Sequence, residues 1–198
     1  MISLVAAGLR CPAPSAGLHR SMLKVSIPVM DLRSTTTAGD TLKPHCRLCR
    51  QDMVSGTYCL VLRNRQCSTR VGALGVLDFS EGWHVYVGSA QGAAGLSRVA
   101  RHIRVAGKGT ASPRWHIDYL LVHPEFSLAA AVCAVTGDRE SECAVARILG
   151  GVPVPGFGCS DCRCASHLFY FSSNPENDII STLSSLGLSA SIKTINKS

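Results

Sequence analysis

Arg98, Arg101 and His102 stand at positions i, i+3 and i+4 of the run LSRVARHIR. On a helix those spacings put three basic side chains on one face. The run follows WHVYVGSA, residues 83–90, which carries Tyr86 to the end of an apolar strand and turns at Gly88-Ser89. A tyrosine at a strand end and guanidinium groups on the next helix can meet over a shared anion. Guanidinium suits phosphate because it holds its charge and donates two parallel hydrogen bonds. Arg104 and Lys108 extend the basic run toward backbone phosphate. The plainer alternative is a solvated helix face.

Cysteine is the second chemically capable group, with ten in the chain. CRLC (46–49) and CSDC (159–162) are both C-x-x-C, and Cys164 and His167 follow the second. Thiolates with a histidine suit zinc. The two pairs are 110 residues apart, whereas a zinc ribbon keeps roughly 15–20 residues between them. Cys159, Cys162, Cys164 and His167 would alone make a cramped site. The spacing therefore argues against zinc, and the simpler reading is a tight turn whose cysteines pack as small apolar groups. No thioredoxin-like βαβ context surrounds CSDC. The pattern is not that of a disulfide-stapled secreted domain, so the thiols are read as reduced and the location as cytoplasmic.

The elements that must position these groups follow from periodicity. Leu96, Val99, Ala100 and Ile103 form an apolar stripe that predicts a helix over 95–106, stopped by Gly107-Lys108-Gly109. GTYCLVLRN (56–64) reads as a strand, RNRQCSTR as a loop, VGALGVLDFSEG as a mixed connector, and WHVYVGS as a second strand antiparallel to the first. WHIDYLL (115–121) is of ambiguous type. LAAAVCAVT (128–136) predicts a buried strand, ESECAVARILG (140–150) a helix, HLFYF (167–171) a strand, and Pro175 to Leu186 a closing helix. Mixed strands and helices with hairpin pairing at the front predict a small α/β domain, an α+β sandwich.

Composition bounds the rest. Of 198 residues, 46% are apolar, enough for a packed core and too many for a disordered chain. No apolar run reaches the roughly 20 residues of a membrane span. The net charge of +7 is concentrated in residues 1–50, which hold seven basic and two acidic residues. Bulk basicity is therefore a weak argument for nucleic acid. The local pattern is stronger: from Arg63 to Lys108 seven basic residues face only Asp78 and Glu81. Residues 1–52, with four prolines and no period, read as a disordered extension or a start placed too early. Organelle targeting by residues 1–30 is the alternative. The domain is expected over 53–175, with a closing helix and tail over 176–198.

GTY in the first strand, YVG in the second, R-x-x-R-H in the next helix and a glutamate opening a later helix come in an order that resembles the GIY-YIG nuclease superfamily. The resemblance covers roughly residues 55–172. It is closest to a branch in archaea and some bacteria that is sometimes fused to endonuclease III-type repair enzymes. YVGSA, GLSRVARHIR, WHIDYLL, ECAVARIL and PGFGCSDCRCASHLFYF carry that closer match. It implies a short, mainly antiparallel central sheet flanked by helices. It also implies phosphodiester hydrolysis with one weakly held Mg²⁺ or Mn²⁺ on Glu142. In that scheme Tyr58, or water it orients, activates the nucleophile, Arg98 stabilises charge on the phosphate, and Tyr86 positions a water or phosphate oxygen. Arg101 and His102 match the basic pair that often follows. By analogy DNA and a base-excision repair enzyme become the expected partners.

The chain departs from the family at Thr57, in the Ile place, in a 27-residue connector between Tyr58 and Tyr86, and in lacking an evident closing asparagine. His116 and Asp118 are candidates to supply the missing polar group; otherwise they pair locally beside core anchors Trp115 and Tyr119. The expectation is thus a metal-dependent nuclease, with two rivals. One is a non-catalytic nucleic-acid-binding module on the same fold. The other is a metal- or partner-binding protein organised around the cysteine cluster.

Overall fold

The structure is a computed structural model and describes residues 54–108 and 112–195, with the Lys108 side chain left out. The expected extension over 1–52, its targeting alternative, Cys46 and Cys49 lie outside the described residues. Six strands form one sheet in the order β6-β7-β4-β1-β5-β8, with every neighbouring pair antiparallel. In chain order they are β1 (Gly56–Asn64), β4 (Gly82–Ser89), β5 (Phe126–Val135), β6 (Val152–Pro153), β7 (Leu168–Phe171) and β8 (Ala190–Thr194). The helices are α1 (Ser97–Lys108), α2 (His116–Leu121), α3 (Ser141–Ile148) and α4 (Glu176–Ser185). This is the expected α+β architecture.

β1 lies at the centre, between β4 and β5, and every residue but Arg63 is buried. Both faces are covered, which is why it reads as a continuous apolar run rather than an alternating one. Tyr58, Leu60 and Leu62 face one core with Val99 and Val105 of α1 and Ile117 and Leu120 of α2. Cys59 and Val61 face a second core with Val145 of α3 and Ile179 and Leu183 of α4. The sheet is thus a middle layer between two helix layers.

The β1–β5 register slips between Val61 and Leu62, so that Ala130 opposes Val61 but Leu128 opposes Leu62. One extra residue on β5 reverses its side-chain parity. Phe126 and Leu128 therefore join the same core as Ala131 and Cys133, although their numbers differ in parity.

The 27-residue connector is folded. It holds the hairpin β2 (Cys67–Arg70) and β3 (Val76–Phe79), with a 3₁₀ turn at Gly72–Leu74 between them. Val71 and Phe79 anchor it in the first core. WHIDYLL is helical, as α2. Residues 176–195 are more than a closing helix and tail: α4 packs into the second core and β8 extends the sheet at β5.

Tyr58 and Gly88 are direct partners in the β1–β4 register. A Cβ built on Gly88 would fall within 2.6 Å of three atoms of the Tyr58 side chain. The glycine of YVG is there because the tyrosine of GTY occupies its side-chain space. A Gly88→Ala variant is expected to lose about 1–3 kcal/mol from such overpacking, read from the urea midpoint of the full chain. A Cβ on Gly137 would meet nothing within 4 Å, so Gly137→Ala should stay within about 0.5 kcal/mol. Equal effects at the two positions would rule out the ring contact as the cause.

Candidate active site

The start of β1 and the end of β4 lie side by side, since Thr57 pairs with Ser89. Tyr86 opposes Leu60, which shares a sheet face with Tyr58, so both tyrosines project from one face at one end of the sheet. Their ring centroids are 6.5 Å apart. α1 starts beside this end, where Leu96 N–H donates to Val54 O at 2.9 Å. α3 reaches the same end from the opposite helix layer. The result is a cleft of about 260 Å³. Its walls are Tyr58, Tyr86 and Ser89 from the sheet, Arg98 from α1, Arg114, Trp115 and His116 around the start of α2, Glu142 from α3, and Gly158, Ser160 and Asp161 from the loop before β7.

Arg98 and Arg101, on one helix face, have different employments. Arg98 donates from Nη1 to Ser89 O at 3.0 Å and lies 5.3 Å from the Trp115 ring. It makes no ion pair among the described residues, so its charge is available to the cleft. Arg101 donates two hydrogen bonds to Asp118, Nη1 to Oδ1 at 2.9 Å and Nη2 to Oδ2 at 2.6 Å. Its guanidinium also covers Trp115 at 4.1 Å.

Asp118 is fully buried at the third position of α2, where Oδ2 also accepts the N–H groups of Arg114 and Trp115 at 3.0 and 3.2 Å. The latter bond caps α2. Burial opposes the charge, but the His102 and Arg101 contacts and these two amides outweigh it and hold the carboxyl well below its ordinary range.

His102 is buried against Asp118 and Tyr58. Its Nδ1 lies 3.6 Å from Asp118 Oδ1 and has no hydrogen-bond partner among the described residues, while Nε2 is 3.0 Å from the Tyr58 hydroxyl. Burial lowers its pKa, so the ring is neutral near pH 7. With Nδ1–H directed at the carboxylate, Nε2 accepts the Tyr58 phenol proton. Burial, and then Tyr86, raise the Tyr58 pKa well above the ordinary phenol. Tyr86 is raised too, by burial and by Glu142. Both tyrosines are neutral hydroxyls in the resting cleft.

Glu142 and Asp161 are the carboxylates of the cleft. Glu142 Oε1 accepts from His167 Nδ1 at 2.9 Å, and its side chain keeps 21% of its exposure. Oxygen donors on a partly exposed wall fit Mg²⁺ or Mn²⁺, which favour carboxylates and water. Gly158 brings the loop against this wall at φ 75°; a Cβ there would lie 3.1 Å from Tyr86 Cε2 and 3.0 Å from His167 Cβ.

Tyr58, Tyr86, Arg98, Glu142 and His116 all line the cleft. His116 Nδ1 accepts Gly158 N–H at 3.3 Å. The expected basic pair does not reach it: His102 is buried and Arg101 is committed to Asp118. Their interleaving with Val99 and Val105 turns that arc of α1 toward the core. Arg104 is exposed, bonded to Ala100 O of its own helix at 3.4 Å. The Lys108 side chain lies outside the description. Cys159 is also displaced from its expected set, because its thiol donates to Phe157 O at 3.4 Å. Cys143 stands with Cys162, Cys164 and His167 instead. Sequence reading passed over Arg114, Ser89 and Asp161; the polar turn SD in CSDC was the only signal for the last.

The Asp118 carboxyl titrates below its unfolded value of about 3.9. The stability it contributes is therefore complete above that value and lost as pH falls toward the folded pKa. Asp118→Asn is expected to lower stability by roughly 1–3 kcal/mol at pH 7. That is less than a fully buried pair because the Arg101 side chain keeps 26% exposure. The difference from the parent should be full above about pH 4 and shrink as pH falls below it in urea titrations. A constant difference would show that the carboxylate charge is not the stabilising element.

No curated protein and no solved structure matches the chain. One family model does, over residues 57–188, a span that runs from the start of β1 to just before β8 and includes every residue of the cleft. The chain belongs to the family described as Domain of unknown function DUF123.

Proposed function

We propose that this domain hydrolyses phosphodiester bonds of nucleic acid with a divalent metal, as a nuclease of the GIY-YIG type acting on DNA. The observation that carries the reading is the convergence of Tyr58, Tyr86, Arg98 and Glu142 on one cleft. They come from four elements, and packing of the tyrosine strands does not by itself require Arg98 of α1 and Glu142 of α3 to face the same cleft. Arg98, unpaired among the described residues, and Arg114 supply the positive wall on which a phosphate is held.

Tyr58 takes the proton of the attacking water as its own phenol proton passes to His102 Nε2. A neutral phenol can accept the water's proton only as it gives up its own, and the neutral imidazole 3.0 Å away is the group positioned to take that proton. Asp118, held by Arg101 and two amides, places its carboxylate 3.6 Å from His102 Nδ1, where it stabilises the imidazolium as that forms. Tyr86 orients an oxygen beside it. Arg98 stabilises charge that develops on the phosphate, in a site arranged before reaction. Glu142, with Asp161 on the loop, would hold the metal, which when bound supplies Lewis-acid stabilisation of the same oxygens.

The full chain, incubated in Mn²⁺ with branched, nicked, abasic and single-stranded DNA and RNA, is expected to cleave at least one substrate. Chelation should stop it. Arg98→Ala and Glu142→Ala should each lower the rate by about 10²–10³-fold, and Tyr58→Phe by a similar factor. Salt-dependent binding should survive in Glu142→Ala. An inert parent that still binds would replace this reading with a non-catalytic binding module. Cleavage that persists in all three variants would place the activity elsewhere.

A further inference from the structure

Behind the cleft lies a second set of groups with different chemistry. Cys143 follows Glu142 on α3, Cys162 and Cys164 lie on the loop before β7, and His167 precedes that strand. One ligand atom from each falls within 4.8 Å of all the others. A tetrahedral zinc ion with bonds of about 2.0–2.3 Å sets neighbouring donors about 3.5–3.8 Å apart, so slight closure brings these four onto one ion.

The histidine supplies an independent sign. Its Nδ1 lies 2.9 Å from Glu142 Oε1 and 3.3 Å from the Val87 carbonyl oxygen. The carbonyl can only accept, so Nδ1 carries the proton. Nε2 is then directed at the thiols, 3.2 Å from Cys162 Sγ. A ring fixed through Nδ1–H to a carboxylate, with Nε2 free for coordination, is how proteins orient a metal-binding histidine. The backbone holds it there: His167 N–H donates to Phe157 O and His167 O accepts from Val87 N–H, both at 2.8 Å.

We propose that Cys143, Cys162, Cys164 and His167 bind one zinc ion, which clamps the loop carrying Gly158 and Asp161 to the start of α3. Three sulfurs and one nitrogen select a soft or borderline ion over Mg²⁺. Four protein donors complete a tetrahedron and leave no open position, so the ion is structural. It is distinct from the hard-ion position on Glu142 and Asp161. Yet it joins the two segments that bear those carboxylates, and through His167 it sets the direction of Glu142. The zinc site stands on its own donors, whether or not the cleft hydrolyses phosphodiesters.

The full chain, purified without chelator, is expected to contain about one zinc per chain at this site. Exchange into cobalt should give the absorption of a tetrahedral centre with thiolate charge transfer. Cys143→Ser and Cys164→Ser should each weaken metal binding by at least about tenfold, whereas Cys159→Ser should retain it. If the serine variants fail to fold, the parent still decides. Alkylation mapped by mass spectrometry should spare Cys143, Cys162 and Cys164 until a chelator is added. A parent that takes up neither zinc nor cobalt, undiminished metal in Cys143→Ser, or alkylation of the three thiols that ignores the chelator would each overturn the proposal.

Discussion

The Tyr58 ring fills the space that any side chain on Gly88 would need, and this contact governs the rest of the site. It locks two central strands in one register. A slip of one residue would send Tyr86 to the other face of the sheet. With the register set, both tyrosines project from one face at one end of the sheet, beside the start of α1. Arg98 then reaches the cleft because α1 begins where β4 ends.

Burying Tyr58 creates a requirement that the helix layer meets. A phenol this deep needs a partner, and His102 supplies it from α1. A buried histidine needs something in turn, and Asp118 lies beside it from α2. A buried carboxylate is costly unless it is hydrogen-bonded. Arg101 and two amides satisfy it, and one of those amides caps α2. Packing, helix capping and charge are therefore one connected arrangement running from Tyr58 to the Trp115 surface. The same arrangement gives the phenol a proton acceptor.

The far wall depends on different forces. α3 belongs to the opposite core, so Glu142 arrives at the cleft from behind the sheet end. Its partner His167 is fixed by a backbone hydrogen bond from Val87 of β4 and one to Phe157 of the loop. Hard oxygen donors face the cleft and soft sulfur donors stand behind them, with His167 touching both. That separation by ligand softness would let two different ions occupy neighbouring positions without exchanging.

Much of this was legible in the residues themselves. Local physics sets the continuous apolar run of β1 and the stripe of α1, although α1 runs through Gly107 to Lys108 rather than stopping at the glycine. These determined most elements and the antiparallel pairing of the two tyrosine strands. The resemblance in motif order singled out Tyr58, Tyr86, Arg98 and Glu142. Other features were decided only by tertiary structure. Apolar and basic residues interleave on α1, so periodicity could not say that His102 turns inward while Arg98 stays at the cleft. β8, the edge strand ASIKT, is exposed at three of its five residues and forms because β5 offers an open edge. Cys143 displaces Cys159 from the sulfur cluster because ligand sets are chosen by distance in space, and the C-x-x-C spacing of the loop says nothing about a helix that approaches from another layer. Sequence determined which local segments could form and which residues could do chemistry; burial and proximity, which arise only when the layers close, decided which of them meet.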